Sequence, residues 1–242
     1  IKDRDEAEAR TAELTERIGK LVHTLGADQR YAVLVVLQGM DTAGKDGTIR
    51  RVFQHVDPQL MRVATFKKPT DQELSHDYLW RIHAQTPRRG ELVVFNRSHY
   101  EDVGIVRVHN LVPREVWSRR YEHINAFERM LGESGTVVLK FFLHISKDEQ
   151  KERLQERLED PSKNWKMDLA DLHERKFWPK YMEAYSEALS RCSTTWAPWH
   201  IIPADRKWYR DYAIARAVER RLGGLKLRYP RPAFDPAQVR VV

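Results

Sequence analysis

Residues 31–47 read YAVLVVLQGMDTAGKDG. The first seven form a continuous apolar run rich in β-branched side chains, which suits a strand buried on both faces of a parallel sheet. The run passes directly into Gln38, Gly39, Met40, Asp41, Thr42, Ala43, Gly44, Lys45, Asp46 and Gly47. This is the pattern G-x-x-x-x-G-K, with Asp46 where Ser or Thr usually stands. Glycines let such a loop wrap until its backbone N–H groups point inward at an anion. The N-terminus of the following helix, expected from Asp46 to about His55, adds its dipole. Gly39, Ala43, Gly44, Lys45, Asp46 and Gly47 are therefore the candidate phosphate-binding residues, with Lys45 reaching phosphate oxygens. A chance glycine-rich turn lacks this context of strand, loop and helix.

Two carboxylates in a loop built for anions would repel phosphate unless a cation lay between them. Mg²⁺ prefers hard oxygen ligands and usually combines one or two carboxylates with substrate phosphates. Asp41 and Asp46 thus point to a metal-bridged phosphate. For Asp46 a helix-capping or turn role is the competing reading.

Similar apolar runs recur outward from this segment. They are LVVF at 92–95, VVLKFFLHI at 137–145 and HIIP at 200–203, with a weaker one at 61–64. Helical stretches separate them. Strands alternating with helices imply an α/β fold with a parallel sheet covered by helices on both faces. Residues 3–25 carry apolar positions at helical spacing, and Gly26 is placed to end that helix. Thr70 with Glu73 forms a capping box for a helix expected to run to about Ile82. Ser146 with Glu149 opens another, and Asp168 is a candidate cap for a third. Gly223 and Gly224 close the last helix, and residues 229–242 read as a Pro-containing tail.

The run at 92–95 leads into Asn96, Arg97, Ser98, His99, Tyr100, Glu101, Asp102 and Val103. In nucleotide-binding folds with this loop, a carboxylate near the end of the strand beside it holds Mg²⁺. Asn96 departs from that pattern, and Glu101 and Asp102 follow it. Arg97 is placed to neutralise charge on a transferring phosphoryl group.

The 242 residues carry 42 Lys and Arg against 35 Asp and Glu, a net charge of +7. From Arg206 onward 10 basic residues face 3 acidic ones, so the rest of the chain is neutral overall. The excess of positive charge is therefore no argument for nucleic-acid binding by the body of the chain. No stretch approaches about 18 uninterrupted apolar residues, which excludes a membrane-spanning helix by sequence. Residues 1–10 are charged and lack the apolar centre of a signal peptide. One cysteine, Cys192, cannot form an internal disulfide. The expectation is a cytoplasmic protein with no membrane and no nucleic-acid partner.

Several blocks then occur in one order: GMDTAGKDG at 39–47, FKKPT at 66–70, HDYLWRIH at 76–83, FNRSHYEDV at 95–103, KFFLHISKDEQ at 140–150 and DPSKNWK at 160–166. Together they resemble the family-2 polyphosphate kinases, over about residues 30–222. The resemblance implies a P-loop kinase-like fold with a helical lid. It also implies Mg²⁺-dependent phosphoryl transfer between inorganic polyphosphate and AMP, ADP or ATP. FNRSHYEDV looks like the branch acting on AMP as well as ADP, where other branches carry Asp at position 96. By motif match, Asp41, Asp46 and Glu101 would handle the metal, and Lys45 and Arg97 the moving phosphoryl. Arg153 and Arg157, four residues apart on one helix face, would close over it from a lid at 147–190. Lys67 and Lys68 would line a polyphosphate channel, with Arg81, Arg88 and Arg89 as further groove candidates. The lid aromatics Trp165, Phe177, Trp178, Tyr181 and Tyr185 read as packing, and Trp196, Trp199 and Trp208 as core.

The expected organisation is an N-terminal helical extension at 1–29, a core at 30–222 and a basic tail at 223–242. Family members imply a homodimer or homotetramer, with the N-terminal helix as a contact surface. An ATP-dependent nucleoside monophosphate kinase is the alternative on the same fold. A polyanion- or RNA-binding protein using the basic C-terminus is the alternative of another class.

Overall fold

The computed structural model of the protein describes residues 1, 3–167 and 169–240. Five parallel strands form one sheet in the order β2-β3-β1-β4-β5. They are β1 (Ala32–Gln38), β2 (Met61–Thr65), β3 (Leu92–Asn96), β4 (Thr136–His144) and β5 (Trp199–Pro203). Each of the five apolar runs is a strand. β1 lies at the centre and all seven of its residues are buried. Its register sets Leu37 beside Asn96 of β3, and Gln38 beside Phe142 of β4. The phosphate loop and the segment after β3 therefore leave the sheet side by side, at the carboxyl ends of adjacent strands. That is where open α/β sheets bind ligands.

The helices follow in chain order as α1 (Arg4–Asp28), α2 (Lys45–Val52), α3 (Asp71–Leu74), α4 (Trp80–His83), α5 (Ile105–Val108) and α6 (Arg114–Trp117). They continue as α7 (Arg120–Glu133), α8 (Lys147–Glu159), α9 (Leu169–Glu174), α10 (Trp178–Arg191) and α11 (Lys207–Gly223). Alternate residues of β1 feed two cores, as a strand with period two requires. Val33, Val35 and Leu37 meet Ile18, Val22 and Leu25 of α1 and Ile214, Val218 and Leu222 of α11. Leu34 and Val36 meet Tyr121, Ile124, Phe127 and Leu131 of α7. Helices cover both faces of the sheet.

The structure corrects several local expectations. The first helix does not stop at Gly26 but runs to Asp28, and Gln29 closes it in the left-handed region with φ 58°. Gly26 serves packing instead, since a Cβ there would lie 2.7 Å from Leu60 Cδ2. The helix after the phosphate loop ends at Val52 rather than near His55. The Thr70–Glu73 capping box forms, but its helix is the single turn α3. α3 buries no residue, so nothing repays further helix growth. The Asp77 carboxylate accepts from Leu79 N–H and the chain restarts as α4. Ser146 caps α8 as expected, its Oγ accepting from Glu149 N–H at 3.1 Å. Asp168 lies outside the described residues. Trp196 is 43% exposed beneath Arg129 and is not core. Trp165 is 78% exposed, whereas Tyr181 and Tyr185 are buried in the core shared with Phe142.

Both ends of the chain pack on the core. α1 is packed along α11 and shares the main core. Beyond α11, Leu225 is buried in that core and Leu227 packs against it. Arg228 N–H donates to the Asp28 carboxylate at 2.7 Å, and the Tyr229 hydroxyl lies 3.0 Å from His23 Nδ1.

Candidate active site

The phosphate loop requires backbone conformations that most side chains resist. Gly44 takes φ 99° and N-caps α2, and a Cβ there would lie 1.9 Å from Arg210 Nη1. At Gly39 a Cβ would lie 2.5 Å from the Leu143 carbonyl oxygen. Only glycine fits either place. Thr42 between them is left-handed with φ 64°. Its Oγ1 is buried and has no hydrogen-bond partner among the described residues. Two buried arginines hold the back of the loop. Arg153 of α8 donates to Thr42 O at 2.8 Å, and Arg210 of α11 donates to Ala43 O at 3.5 Å. With these carbonyls turned outward, the loop can present N–H groups inward.

Lys45 is buried and curls back over the loop. Its Nζ donates to Gly39 O at 2.9 Å and to Met40 O at 3.2 Å. Burial pulls its ammonium from 10.5 to about 8; the charge of Arg97 adds to that pull, while Asp41, Glu101 and Asp46 oppose it. One lysine, one arginine and three carboxylates thus share one electrostatic neighbourhood.

Arg97 leaves β3 in the left-handed region with φ 64°. A non-glycine residue held there marks a strained backbone that its surroundings enforce. The turn aims its guanidinium at the phosphate loop, where Nη2 donates to Asp41 Oδ1. Nη1 lies 3.5 Å from Glu101 Oε2. Gln38, the last residue of β1, donates to Glu101 Oε1 at 2.6 Å, and Ser98 Oγ donates to Gln38 Oε1 at 3.3 Å. The loop after β3 is thereby tied to the end of β1. Asn96 Nδ2 donates to Asp46 Oδ1 at 2.6 Å. A second carboxylate at position 96 would face Asp46 at that separation.

The donor set suits a hard divalent cation brought in with phosphate. Asp41, Asp46 and Glu101 offer carboxylate oxygens only, the ligand type Mg²⁺ prefers. No cluster of three or more metal-ligating side chains is preassembled among the described residues. The partnerless Thr42 hydroxyl in the same loop is a further oxygen without a protein partner.

Not every expected residue reaches this place. Arg153 does not project from a lid. It is buried, pairs with Glu149 at 2.7 Å and donates to Ala204 O and Asp205 O as well as to Thr42 O. Arg157, one turn further along α8, is half-buried. Lys67 and Lys68 are exposed just past the carboxyl end of β2. Arg81 is buried over the Phe66 ring; it donates to Lys67 O and pairs with Glu73, so it shapes the FKKPT turn from behind. Arg88 and Arg89 are a correction. They are exposed in the turn before β3, at the opposite end of the sheet, where Gly90 N–H donates to Tyr31 O.

Sequence reasoning missed Gln38, Gln150 and Arg210. Gln150 donates to Asp41 O at 3.1 Å and accepts from Arg175 at 2.7 Å. Gln38 left a faint signal, a polar residue ending an apolar strand. Arg210 left none, because it comes from the last helix and only the tertiary fold brings it to Gly44.

The chain is 57% identical over 221 residues to the AMP/ADP-polyphosphate phosphotransferase of Meiothermus ruber, spanning 91% of this chain and 83% of that protein. It is 44% identical over 227 residues to the ADP-polyphosphate phosphotransferase of Rhodopseudomonas palustris, spanning 89% and 78% respectively. The crystal structure of polyphosphate kinase 2 from Arthrobacter aurescens superposes with a TM-score of 0.96 at 46% identity, covering 98% of this chain and 85% of that one. Residues 1–228 match the family description Polyphosphate kinase 2. The chain therefore belongs to the polyphosphate kinase 2 family.

Proposed function

We propose that this enzyme moves a phosphoryl group between inorganic polyphosphate and AMP or ADP, with Mg²⁺ held by Asp41, Glu101 and Asp46. The observation that carries the site assignment is the placement of Arg97 between Asp41 and Glu101, above a loop whose lysine is buried beneath them. Phosphoryl transfer asks little covalent chemistry of a protein. It needs in-line positioning and neutralisation of charge.

In this reading the loop N–H groups and the α2 N-terminus hold the donor phosphates. Lys45 places its charge on oxygens of the phosphoryl being moved, and Arg97 neutralises charge that develops there. A new bond forms between an acceptor phosphate oxygen and phosphorus as the bridging P–O bond of the polyphosphate chain breaks. When bound, Mg²⁺ supplies neutralisation of the phosphate charge. Gln38 and Ser98 hold Glu101, and Gln150 holds the loop backbone at Asp41. Arg157 is the lid arginine that would close over the phosphates, and Lys67 and Lys68 would guide the polyanion. Asn96 donates to Asp46 where other branches of the family carry Asp, and that resemblance supports a site that accepts AMP as well as ADP.

Purified protein given AMP or ADP, Mg²⁺ and polyphosphate, without ATP, should form ADP or ATP. No product would sink the reading. ATP with AMP and no polyphosphate separates it from an ATP-dependent monophosphate kinase. No described helix is long and apolar enough to cross a membrane. Action in the cytoplasm as a homodimer or homotetramer completes the proposal, and light scattering in solution tests the assembly.

A further inference from the structure

Behind the loop that carries Arg97 and Glu101 lies a second cluster of ionisable groups. His99, Tyr100, Glu128 and Lys140 are all wholly or almost wholly buried. Lys140 projects from β4, Glu128 from α7, and His99 and Tyr100 from the turn after β3. Lys140 Nζ donates to Glu128 Oε2 at 2.5 Å, to Cys192 O at 2.7 Å and to the Tyr100 hydroxyl at 2.8 Å. An ammonium has three protons, and all three are used. Glu128 Oε1 accepts from the Tyr100 hydroxyl at 2.9 Å and lies 3.1 Å from His99 Nε2. The Lys140 ammonium also lies 5.1 Å from the centre of the Trp199 ring.

A buried ion pair is a poor way to gain stability. Desolvating both charges costs as much as their attraction returns, and apolar replacements of similar volume are often neutral or stabilising. What this pair secures is better read from its arms. Within five consecutive residues, Arg97 reaches Asp41 of the phosphate loop and Glu101 pairs with Arg97, while 99 and 100 are anchored in the cluster. Ser98 between them is buried, and its Oγ accepts from Tyr100 N–H at 3.2 Å. Arg97 sits in a left-handed conformation that relaxes unless the following turn is held.

We infer that the buried Glu128–Lys140 pair, acting through His99 and Tyr100, is a positioning device that sets Arg97 and Glu101 for phosphoryl transfer. The inference rests on the active-site reading above. The pair touches no reacting group. It fixes the far side of the turn whose near side carries the chemistry.

Two variants test it: Tyr100→Phe, which removes one oxygen, and the double variant Glu128→Leu with Lys140→Met, which removes both charges at similar volume. Circular dichroism and thermal melting establish folding. Turnover and KM for ADP are then measured with polyphosphate and saturating Mg²⁺. Each folded variant should lose about 10- to 100-fold in kcat, the range seen when supporting contacts behind a site are removed, with KM little changed. The double variant also leaves the Tyr100 hydroxyl, His99 Nε2 and Cys192 O without these partners and should melt lower, so the readout a purely structural role would not move is a fall in kcat with KM unchanged in the folded protein. If the double variant fails to fold, Tyr100→Phe decides alone. Arg97→Ala serves as the control. Wild-type kcat in the folded variants beside a crippled Arg97→Ala would overturn the inference alone. Full turnover in Arg97→Ala would overturn the active-site reading, and the inference with it.

Discussion

The guanidinium of Arg97 rests on the carboxylate of Asp41, joining the turn after β3 to the phosphate loop after β1. The two residues are far apart in sequence and meet because their strands are neighbours in register. The contact sets a positive charge directly above the loop and screens Asp41 from the anion it must approach. Arg97→Ala should lower kcat by about 100-fold or more, as removal of a charge-stabilising donor does. Arg97→Lys should recover little, because a point charge does not span both Asp41 and Glu101. Steady-state kinetics check this, and an unchanged kcat would remove Arg97 from the site.

Lys45 gives a prediction with a sign in pH. Burial holds its ammonium at about 8 against 10.5 in the unfolded chain. The folded protein therefore binds this proton less tightly, so a stability cost is fully present below about pH 8 and fades as pH rises towards 10.5. Metal-free Lys45→Met removes that cost, up to about 3 kcal/mol at neutral pH, less what is lost by leaving Gly39 O and Met40 O without their donor. That gain should fade in alkali, while turnover falls by orders of magnitude at every pH. Denaturant titrations at neutral and alkaline pH read the difference.

Asn96→Asp should place a second carboxylate against Asp46, where the amide now donates at 2.6 Å. Two like charges at that distance destabilise the metal-free protein by about 1–2 kcal/mol, and a cation between them relieves the repulsion. Thermal melting should show a lower midpoint for the variant without Mg²⁺ and a larger rise than wild type when Mg²⁺ is added. Equal responses in the two proteins would argue against a metal position between residues 96 and 46.

Arg153 is expected to matter for the loop's shape rather than for lid closure. Arg153→Ala strips donors from the carbonyls of Thr42, Ala204 and Asp205. Buried acceptors left without partners cost about 2–4 kcal/mol together. Arg157→Ala, by contrast, should reduce kcat. A large loss of stability in Arg157→Ala with none in Arg153→Ala would reverse the two assignments.

Leu225, Leu227 and Arg228 lie within the expected tail yet contact the core and α1. Removing 230–242 should leave melting and turnover close to wild type. Removing 223–242 also takes Leu225 and Leu227 from the core and the Arg228–Asp28 contact from α1. That should cost about 2–4 kcal/mol, the range for emptying a buried aliphatic site. Comparing the two truncations by chemical denaturation locates where the packed chain ends.

The five strands, their alternation with helices and the phosphate loop could all be read from residue order. An apolar β-branched run, a glycine-punctuated loop and a capping serine are local signals, and local physics reads them. Asp41, Lys45, Asp46, Arg97 and Glu101 are candidates from the same order of residues, through the phosphate-loop pattern and the resemblance of the flanking blocks to the family. The tertiary structure decided what those motifs meet. It turned Arg153 inward onto loop carbonyls, brought Arg210 from the last helix to Gly44, and placed Arg88 and Arg89 at the far end of the sheet. It also gathered Lys140, Glu128 and Tyr100 into one buried network from three separate elements. A charged residue looks the same in sequence whether it faces water, substrate or another buried charge. Only strand order and register bring its partner within hydrogen-bonding distance, and the partner decides what the charge does.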